Sequence, residues 1–145
     1  MIKKYNIIII LLLSISFTVN ALSENDFFTE AKKNFNEKKY DDSKFLFQRN
    51  IVFNPKDENS YLYLAKIFNI EENEQEKEKN INTVLLLNPK NEEAISILME
   101  IELKKSNYSK VRELIENFTK VCIKLCDNKN SILQSLKNLE PKNES

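Results

Sequence analysis

The 145-residue chain contains no glycine and no histidine, and it has only three prolines and two cysteines. Without glycine it cannot form a glycine-rich phosphate loop, a dinucleotide-binding fingerprint or a strained nucleophile elbow. Without histidine it lacks the commonest general base and the commonest metal ligand. We therefore expect a protein that is not an enzyme and that binds no metal ion and no cofactor.

The charges of the chain are balanced, with 22 basic and 22 acidic residues, and Arg49 and Arg112 are the only arginines. The lysines do not cluster with aromatic residues in the way that nucleic-acid-binding surfaces do, so we expect no nucleic-acid partner. With 41% hydrophobic and 30% charged residues, the composition is typical of one soluble domain.

The first 21 residues have the layout of a secretory signal peptide. Lys3 and Lys4 precede an apolar run over residues 7–13, and the small residues Val19 and Ala21 occupy the positions that a signal peptidase prefers. A membrane anchor is the alternative, but a span needs about 20 predominantly apolar residues, and this run is shorter. We expect cleavage after Ala21, which leaves a periplasmic or secreted protein without a membrane span.

A repeat of 34 residues organises the rest of the chain. The motifs FNPKDE and LNPKNE, at residues 53–58 and 87–92, place Pro55 and Pro89 34 positions apart. The same spacing relates three further sets of residues, namely Phe27, Tyr61 and Ile95; Ala31, Ala65 and Met99; and Phe47, Ile81 and Ile115. Within each unit the apolar residues recur at helical spacing, which predicts two helices and a turn per unit.

These units resemble the tetratricopeptide repeat family, in which large, small and aromatic residues alternate along two helices before a proline. The first unit matches with Phe27, Ala31, Tyr40, Ser43, Phe47 and Pro55. The second matches with Tyr61, Leu64, Ala65, Ile81, Val84 and Pro89. The third matches with Ile95, Leu98, Tyr108, Val111, Ile115 and Phe118, and it lacks the proline.

The resemblance implies an all-α fold, in which three tandem helix-turn-helix units form a short right-handed solenoid. The units are expected at about residues 24–57, 58–91 and 92–121, within a region of residues 22–121. Residues 122–145 would then form a cysteine-containing turn, a capping helix and a frayed tail. In the cap, Ile132, Leu133, Leu136 and Leu139 fall on one helical face, which would cover the apolar end of the array.

The second unit departs from the family pattern, because Glu74 and Lys77 stand where an aromatic and a small residue belong. We interpret the surrounding stretch, residues 71–79, as a solvated turn and an exposed helix face, with an acidic binding patch as the alternative. Since two packing residues are missing, we expect the second unit to be the first to open.

Two features of the helix ends can also be predicted. Asp57 and Asn91 are suited to cap the first helices of the second and third units. The family usually has glycine at the turn within each unit, where this sequence has Lys38, Glu72 and Ser106. Asn73 and Asn107 follow two of these residues, and asparagine tolerates the left-handed backbone that such a turn requires.

Cys122 and Cys126 lie at the end of the last repeat helix. In an oxidising compartment they could form a structural disulfide, although a four-residue spacing on a continuous helix is near the upper limit for bridging. The alternatives are free or partner-reactive thiols and, less readily, a metal or redox site, for which no histidine or third cysteine is present.

The resemblance implies a function in protein–protein interaction, with a concave groove lined by the first helices. The groove would present Asn25, Phe28, Lys32, Asn59, Leu62, Lys66, Asn69, Glu93, Ser96 and Glu100. It would not form the basic clamp that some members use for peptide carboxylates, because Glu93 and Ile97 stand where basic residues are needed. The alternative is that these residues form only a solvated helix face.

We therefore expect a scaffold that binds a protein or peptide partner of the bacterial cell envelope. One alternative is a thiol-dependent assembly or redox factor that acts through Cys122 and Cys126. Another is an enzyme that uses only carboxylates and lysines, but no paired carboxylates occur in a recognisable frame.

Overall fold

The computed structural model describes residues 24–139. The predicted signal peptide and the tail beyond residue 139 lie outside the described residues. Seven helices make up the described part, and it contains no strand. They are α1 (Glu24–Asn36), α2 (Tyr40–Phe53), α3 (Glu58–Ile70), α4 (Glu74–Leu87), α5 (Glu92–Lys104), α6 (Tyr108–Val121) and α7 (Asn128–Leu139).

Consecutive helices pack on one another in three pairs, α1 with α2, α3 with α4, and α5 with α6. The first helices of the pairs begin at residues 24, 58 and 92, so the 34-residue period of the sequence is also the period of the structure. The last helix, α7, packs on both α5 and α6. The prediction of an all-α helical-repeat solenoid is therefore confirmed.

The core is built from the columns that the sequence repeats. Ala31, Ala65 and Met99 are at most 1% exposed; the two alanines allow the helices of the first two pairs to approach closely, and the larger Met99 fills the core of the third pair. Around the first pair the core is aromatic, with Phe47 fully buried and its ring stacked 4.9 Å from that of Tyr63 in α3. Such ring pairs contribute about 0.5–1.5 kcal/mol beyond their burial, and this one joins the first unit to the second.

Each of the three turns within a unit contains one residue with a left-handed backbone. These are Lys38, Glu72 and Ser106, with φ values of 61°, 57° and 59°, again 34 residues apart. The structure thus corrects the expectation that the neighbouring asparagines would take up this conformation. Asn73 and Asn107 have negative φ values of −91° and −84°, and they are the N-caps of α4 and α6.

The left-handed residue completes the same hydrogen-bond pattern at each of these turns. In the first turn, the N–H of Lys39 donates to the carbonyl of Asn34 at 2.9 Å, and the N–H of Lys38 donates to the carbonyl of Phe35 at 3.0 Å. Equivalent bonds close the second and third turns. This is the Schellman motif, which satisfies the last carbonyl groups of a helix and usually contains glycine at the left-handed position.

The N-caps differ between units in a way that the sequence explains. Asp57 and Asn91 accept hydrogen bonds from the backbone N–H groups at the start of α3 and α5, so both predicted caps are confirmed. Asn73 and Asn107 cap α4 and α6 in the same manner. Lys39 occupies the corresponding position before α2 and makes no side-chain cap bond.

Ion pairs join neighbouring units on the outside of the array. Lys44 of α2 pairs with Glu71 at the end of α3, and Glu78 of α4 pairs with Lys105 at the end of α5. Since residues 44 and 78 are equivalent in the repeat, as are 71 and 105, the two junctions use the same positions with the charges exchanged.

The connection between α6 and α7 is held in two ways. Cys122 and Cys126 form a disulfide with a Cα–Cα distance of 5.3 Å, because α6 ends at Val121 and the chain leaves the helix before the second cysteine. The carboxylate of Glu92 accepts hydrogen bonds from the backbone N–H groups of Lys124 at 2.9 Å and Leu125 at 2.8 Å. These bonds hold the pKa of Glu92 below its usual value.

The helix α7 covers the end of the array, as the predicted cap would. Ile132 and Leu136 are buried against α5 and α6 at 5% and 4% exposure. Leu133 and Leu139, which fall on the same predicted face, remain 42% and 56% exposed. The covering face of α7 is therefore narrower than the sequence pattern predicts.

Candidate partner-binding cleft

A cleft of about 310 Å³ lies between the first helices of the three units, and we call it the first-helix cleft. The helices α1, α3 and α5 supply most of its wall, and α4 adds one lysine. The lining residues are Phe35, Ala65, Lys66, Asn69, Ile70, Lys77, Glu93, Ile97 and Glu100.

One wall of the cleft is an ion pair between two units. The ammonium of Lys66 in α3 lies 2.8 Å from the carboxylate of Glu93 in the first turn of α5. The same ammonium lies 4.9 Å from the ring centroid of Tyr63, close enough for a cation–π contact. Because both charged groups are partly exposed, the pair adds little stability, and it can open to accept a charged ligand group.

A buried lysine forms part of the cleft's floor. Lys77 of α4 is 3% exposed, and its ammonium donates to the side-chain oxygen of Asn69 at 3.0 Å and pairs with Glu74 at 2.8 Å. Glu74 also accepts from Lys104 at 2.8 Å. Hydrogen bonds from Lys104 and Lys77 lower the pKa of Glu74 to about 2.

The interpretation of residues 71–79 as a solvated turn and helix face holds for the exposed residues 71–75 and 79, and it is wrong for Lys77. Lys77 projects inward, where its aliphatic stem fills the space that a small residue leaves in other repeats, and its charge is satisfied by Asn69 and Glu74. Residues 71–75 are exposed, as expected for a turn and the start of a helix.

The remaining surface of the cleft combines apolar and acidic groups. Ile97 is half-buried between the walls, and Ile70 is 46% exposed at the end of α3. Glu100 is exposed one helical turn beyond Ile97. An aliphatic surface beside carboxylates suits a short peptide segment that carries an apolar side chain next to a polar or basic one.

Four of the predicted groove residues, Lys66, Asn69, Glu93 and Glu100, come together in the first-helix cleft. Lys32 and Asn59 are exposed and lie outside its lining. The tenth predicted groove residue, Asn25, lies outside the described side chains.

The structure corrects the expected exposure of three other groove residues. Leu62 and Ser96 are 6% and 5% exposed; Leu62 joins the core between the second and third units, and the hydroxyl of Ser96 accepts from Asn128 at 3.0 Å. Phe28 is half-buried, with its ring edge against Phe47 at 5.6 Å. Neighbouring units pack over this column of residues, so it builds the interface between units.

Sequence reasoning missed the apolar part of the cleft and Lys77. Ile97 and Ile70 could have been found from the helical wheel, because they follow Glu93 and Lys66 by four residues on the same face. The 34-residue period carries the signal for Lys77, because it aligns this lysine with the buried residues Ser43 and Val111.

Comparison with known proteins supports the fold. No protein-family model and no curated protein sequence matches the chain. Among solved structures, the first TPR module of Spaghetti (RPAP3), bound to the HSP90 peptide SRMEEVD, is similar with a TM-score of 0.69 and 14% identity. The match covers 86% of this chain and 98% of that one.

Two further structures are similar at comparable levels. The type III secretion chaperone SycD of Yersinia enterocolitica, in complex with a peptide of the translocator YopD, gives a TM-score of 0.70 and 16% identity over 82% of this chain and 98% of that chain. The Sgt2 TPR domain from Aspergillus fumigatus gives a TM-score of 0.64 and 14% identity, over 79% of this chain and 77% of that chain. The chain thus has the tetratricopeptide repeat fold.

Within residues 24–139, no three acidic or cysteine side chains come together in a way that could hold a metal ion. None of the seven helices in this part of the chain has the length and apolar character needed to cross a membrane.

Proposed function

We propose that this protein is a non-catalytic interaction scaffold of the bacterial cell envelope, which binds a partner protein or peptide in the first-helix cleft. The observation that carries the proposal is the cleft itself, where an apolar surface lies between the Lys66–Glu93 pair and Glu100. Two proteins of similar fold, the RPAP3 module and SycD, were solved with peptides bound, which supports a peptide as the ligand class.

The charges of the cleft indicate how such a peptide is held. Glu93 stands where a clamp for a terminal carboxylate would need a basic residue, and it already pairs with Lys66. A peptide therefore places an aliphatic side chain against Ile97 and a basic side chain near Glu100, while its chain end contributes little. A few contacts of this kind give modest affinity.

Crosslinking in intact cells, followed by identification of the proteins that co-purify, tests this proposal. We expect a partner that is retained by the wild type and lost in Glu100→Lys and Ile97→Asp variants. Glu30→Lys is the matched control, because Glu30 is exposed on α1 outside the cleft. Equal recovery of the partner with all three variants would exclude the cleft as its binding site.

The place of action is part of the same proposal. We expect export through the signal peptide at residues 1–21, so that the protein isolated from the periplasm or medium begins at Leu22. N-terminal sequencing of the isolated protein measures this directly. A chain that keeps Met1 and sediments with membranes would instead support the anchor alternative.

A second candidate is a thiol-dependent assembly factor, which is favoured by the exposure of Cys126 beside the half-buried Cys122. In this mechanism a client thiolate attacks the Cys122 sulfur of the disulfide and Cys126 leaves as a thiolate. A second client thiolate then displaces Cys122, so that the client gains a disulfide and the two cysteines are reduced. We would expect loss of function in Cys122→Ser and a trapped mixed disulfide in Cys126→Ser. Partner recovery that survives replacement of both cysteines would favour the scaffold.

A further inference from the structure

The three loops that lead from the second helix of a unit to the next helix lie side by side. Glu58, at the end of the first loop, accepts a hydrogen bond from Asn88 of the second loop at 2.7 Å. Glu92, at the end of the second loop, accepts from the N–H of Lys124 in the third loop at 2.9 Å. We call these loops, residues 54–57, 88–91 and 122–127, together with the helix ends beside them, the loop edge.

The chain also enters the fold at the loop edge. The ring of Phe27, in the first turn of α1, stacks on that of Phe53 at the end of α2, with 5.7 Å between ring centroids. The start of α1 therefore lies beside the first loop, at the loop edge.

Large apolar side chains are exposed along the loop edge. Val52, Leu86 and Ile123 are 77%, 82% and 84% exposed, and Phe53 is 57% exposed. Val52 and Leu86 occupy the same position in successive units. Single exposed apolar residues are common on protein surfaces, but four along one edge are typical of an interaction surface.

Lysines follow the same edge. Lys56, Lys90 and Lys124 are 34 residues apart, one in each loop, and all three are exposed. Lys120, in the last turn of α6, is exposed at the position where the first two units have Val52 and Leu86. Among the described side chains of the three loops, Asp127 is the one exposed acid, against the three exposed lysines.

The other acids of the loops are turned toward the protein. The carboxylate of Asp57 accepts from Asn50 and from Ser60, both at 2.7 Å. Glu58 and Glu92 bind the adjacent loops. The negative charges are thereby held within the edge, while the lysine ammonium groups project from it.

We propose that the loop edge binds an anionic lipid surface. The lysines would lie among the phosphate headgroups, and the exposed aliphatic side chains would enter the boundary between headgroups and acyl chains. Apolar insertion and lysine attraction to anionic lipids reinforce one another in peripheral membrane binding. The first-helix cleft uses none of these residues, so lipid binding and peptide binding can be tested separately.

Vesicle sedimentation tests the proposal with the protein as isolated from cells. We expect it to bind vesicles of phosphatidylglycerol and phosphatidylcholine, and to bind less as salt is raised. Each lysine near such a surface contributes about 1 kcal/mol, so the triple variant Lys56→Gln, Lys90→Gln, Lys124→Gln should lose roughly 100-fold in partition coefficient. Thermal unfolding should be unchanged, because all three side chains are exposed.

Two further variants make the test specific. The matched control, Lys33→Gln with Lys79→Gln and Lys137→Gln, removes the same charge from exposed positions away from the edge and should keep wild-type binding. Leu86→Gln should weaken binding several-fold without changing charge.

Three results would overturn the proposal. They are equal binding to vesicles of phosphatidylcholine alone, equal loss in the control triple variant, and vesicle binding that is insensitive to Leu86→Gln and to salt. Dimerisation that Leu86→Gln abolishes, without any vesicle binding, would likewise refute it and assign the edge to a second copy of the chain.

Discussion

The left-handed residues of the three Schellman turns allow a direct test of how much a non-glycine residue at positive φ costs in stability. We predict that Lys38→Gly, Glu72→Gly and Ser106→Gly each stabilise the protein, because no side-chain bond or ion pair is described for these exposed residues. A non-glycine residue in this conformation costs roughly 1–2 kcal/mol. Glycine makes the unfolded chain more flexible, which offsets about 0.4–1 kcal/mol.

Each glycine substitution is therefore expected to raise the free energy of unfolding by about 0.5–1 kcal/mol, which is the relieved strain minus the added flexibility of the unfolded chain. The turns share no partner, so the three gains should add. For a domain of this size, a total of about 2 kcal/mol raises Tm by about 5–10 °C. Thermal unfolding followed by circular dichroism measures each variant and the triple variant.

Two controls separate the backbone effect from the loss of a side chain. Glu72→Ala removes the same carboxylate but keeps a Cβ atom, so it should give no gain comparable to that of glycine. Glu30→Gly, in the middle of α1, should lower stability by about 1 kcal/mol. Glycine variants of the turns that melt at or below the wild-type temperature, or an alanine variant that gains as much, would refute the reasoning.

The remaining predictions concern caps, charge, the cysteines and local opening. Lys39→Asn should raise stability by about 1 kcal/mol, measured by denaturant unfolding, since the backbone there (φ −84°, ψ 68°) matches that of the capping Asn107 (φ −84°, ψ 64°). The pKa of Glu74 is about 2 in the folded protein, against a reference value of 4.5 for the unfolded chain. The ionised carboxylate therefore stabilises the fold above pH 4.5, and this stabilisation is lost as the pH falls toward 2. Glu74→Gln should therefore make the free energy of unfolding depend less steeply on pH between pH 4.5 and 2. Under denaturing conditions, freshly isolated protein should show no thiol labelling at Cys122 or Cys126; two labelled thiols would exclude the disulfide. Hydrogen exchange should find the second unit opening first, because the exposed Glu74 still replaces an aromatic residue although Lys77 is buried; uniform protection of all units would contradict this.

Much of the fold could be predicted because the relevant signals are local and repeated. Pro55 and Pro89 mark the period, and Asp57 and Asn91 carry their capping chemistry in a single side chain. The turns that contain the left-handed residues were also located correctly along the chain. The left-handed conformation itself was assigned to the wrong residue, because Asn73 and Asn107 form the caps of the following helices and the preceding residue, at the family's glycine position, adopts it.

The cleft was harder to predict, because the exposure of its residues depends on how neighbouring units pack. Lys66 and Glu100 belong to the same column of first-helix positions, and the period alone suffices to align them. Leu62 and Ser96 belong to a neighbouring column, which the next unit covers, and exposure there depends on how closely the units pack. Lys77 is buried because Asn69 and a carboxylate meet its charge, and only the folded chain brings those groups together.

The exchanged ion pairs between units encode the order of the units. If the second unit were deleted, Lys44 of the first unit would face Lys105 of the third, and two ammonium groups would meet. If the second unit were duplicated, Glu78 of one copy would face Glu71 of the next, and two carboxylates would meet. Loss of the second unit, or its duplication, would therefore place like charges at a junction. Although tandem repeats commonly change number by duplication, the charges at these junctions disfavour loss or duplication of the second unit, whereas duplication of the first would place Lys44 opposite Glu37.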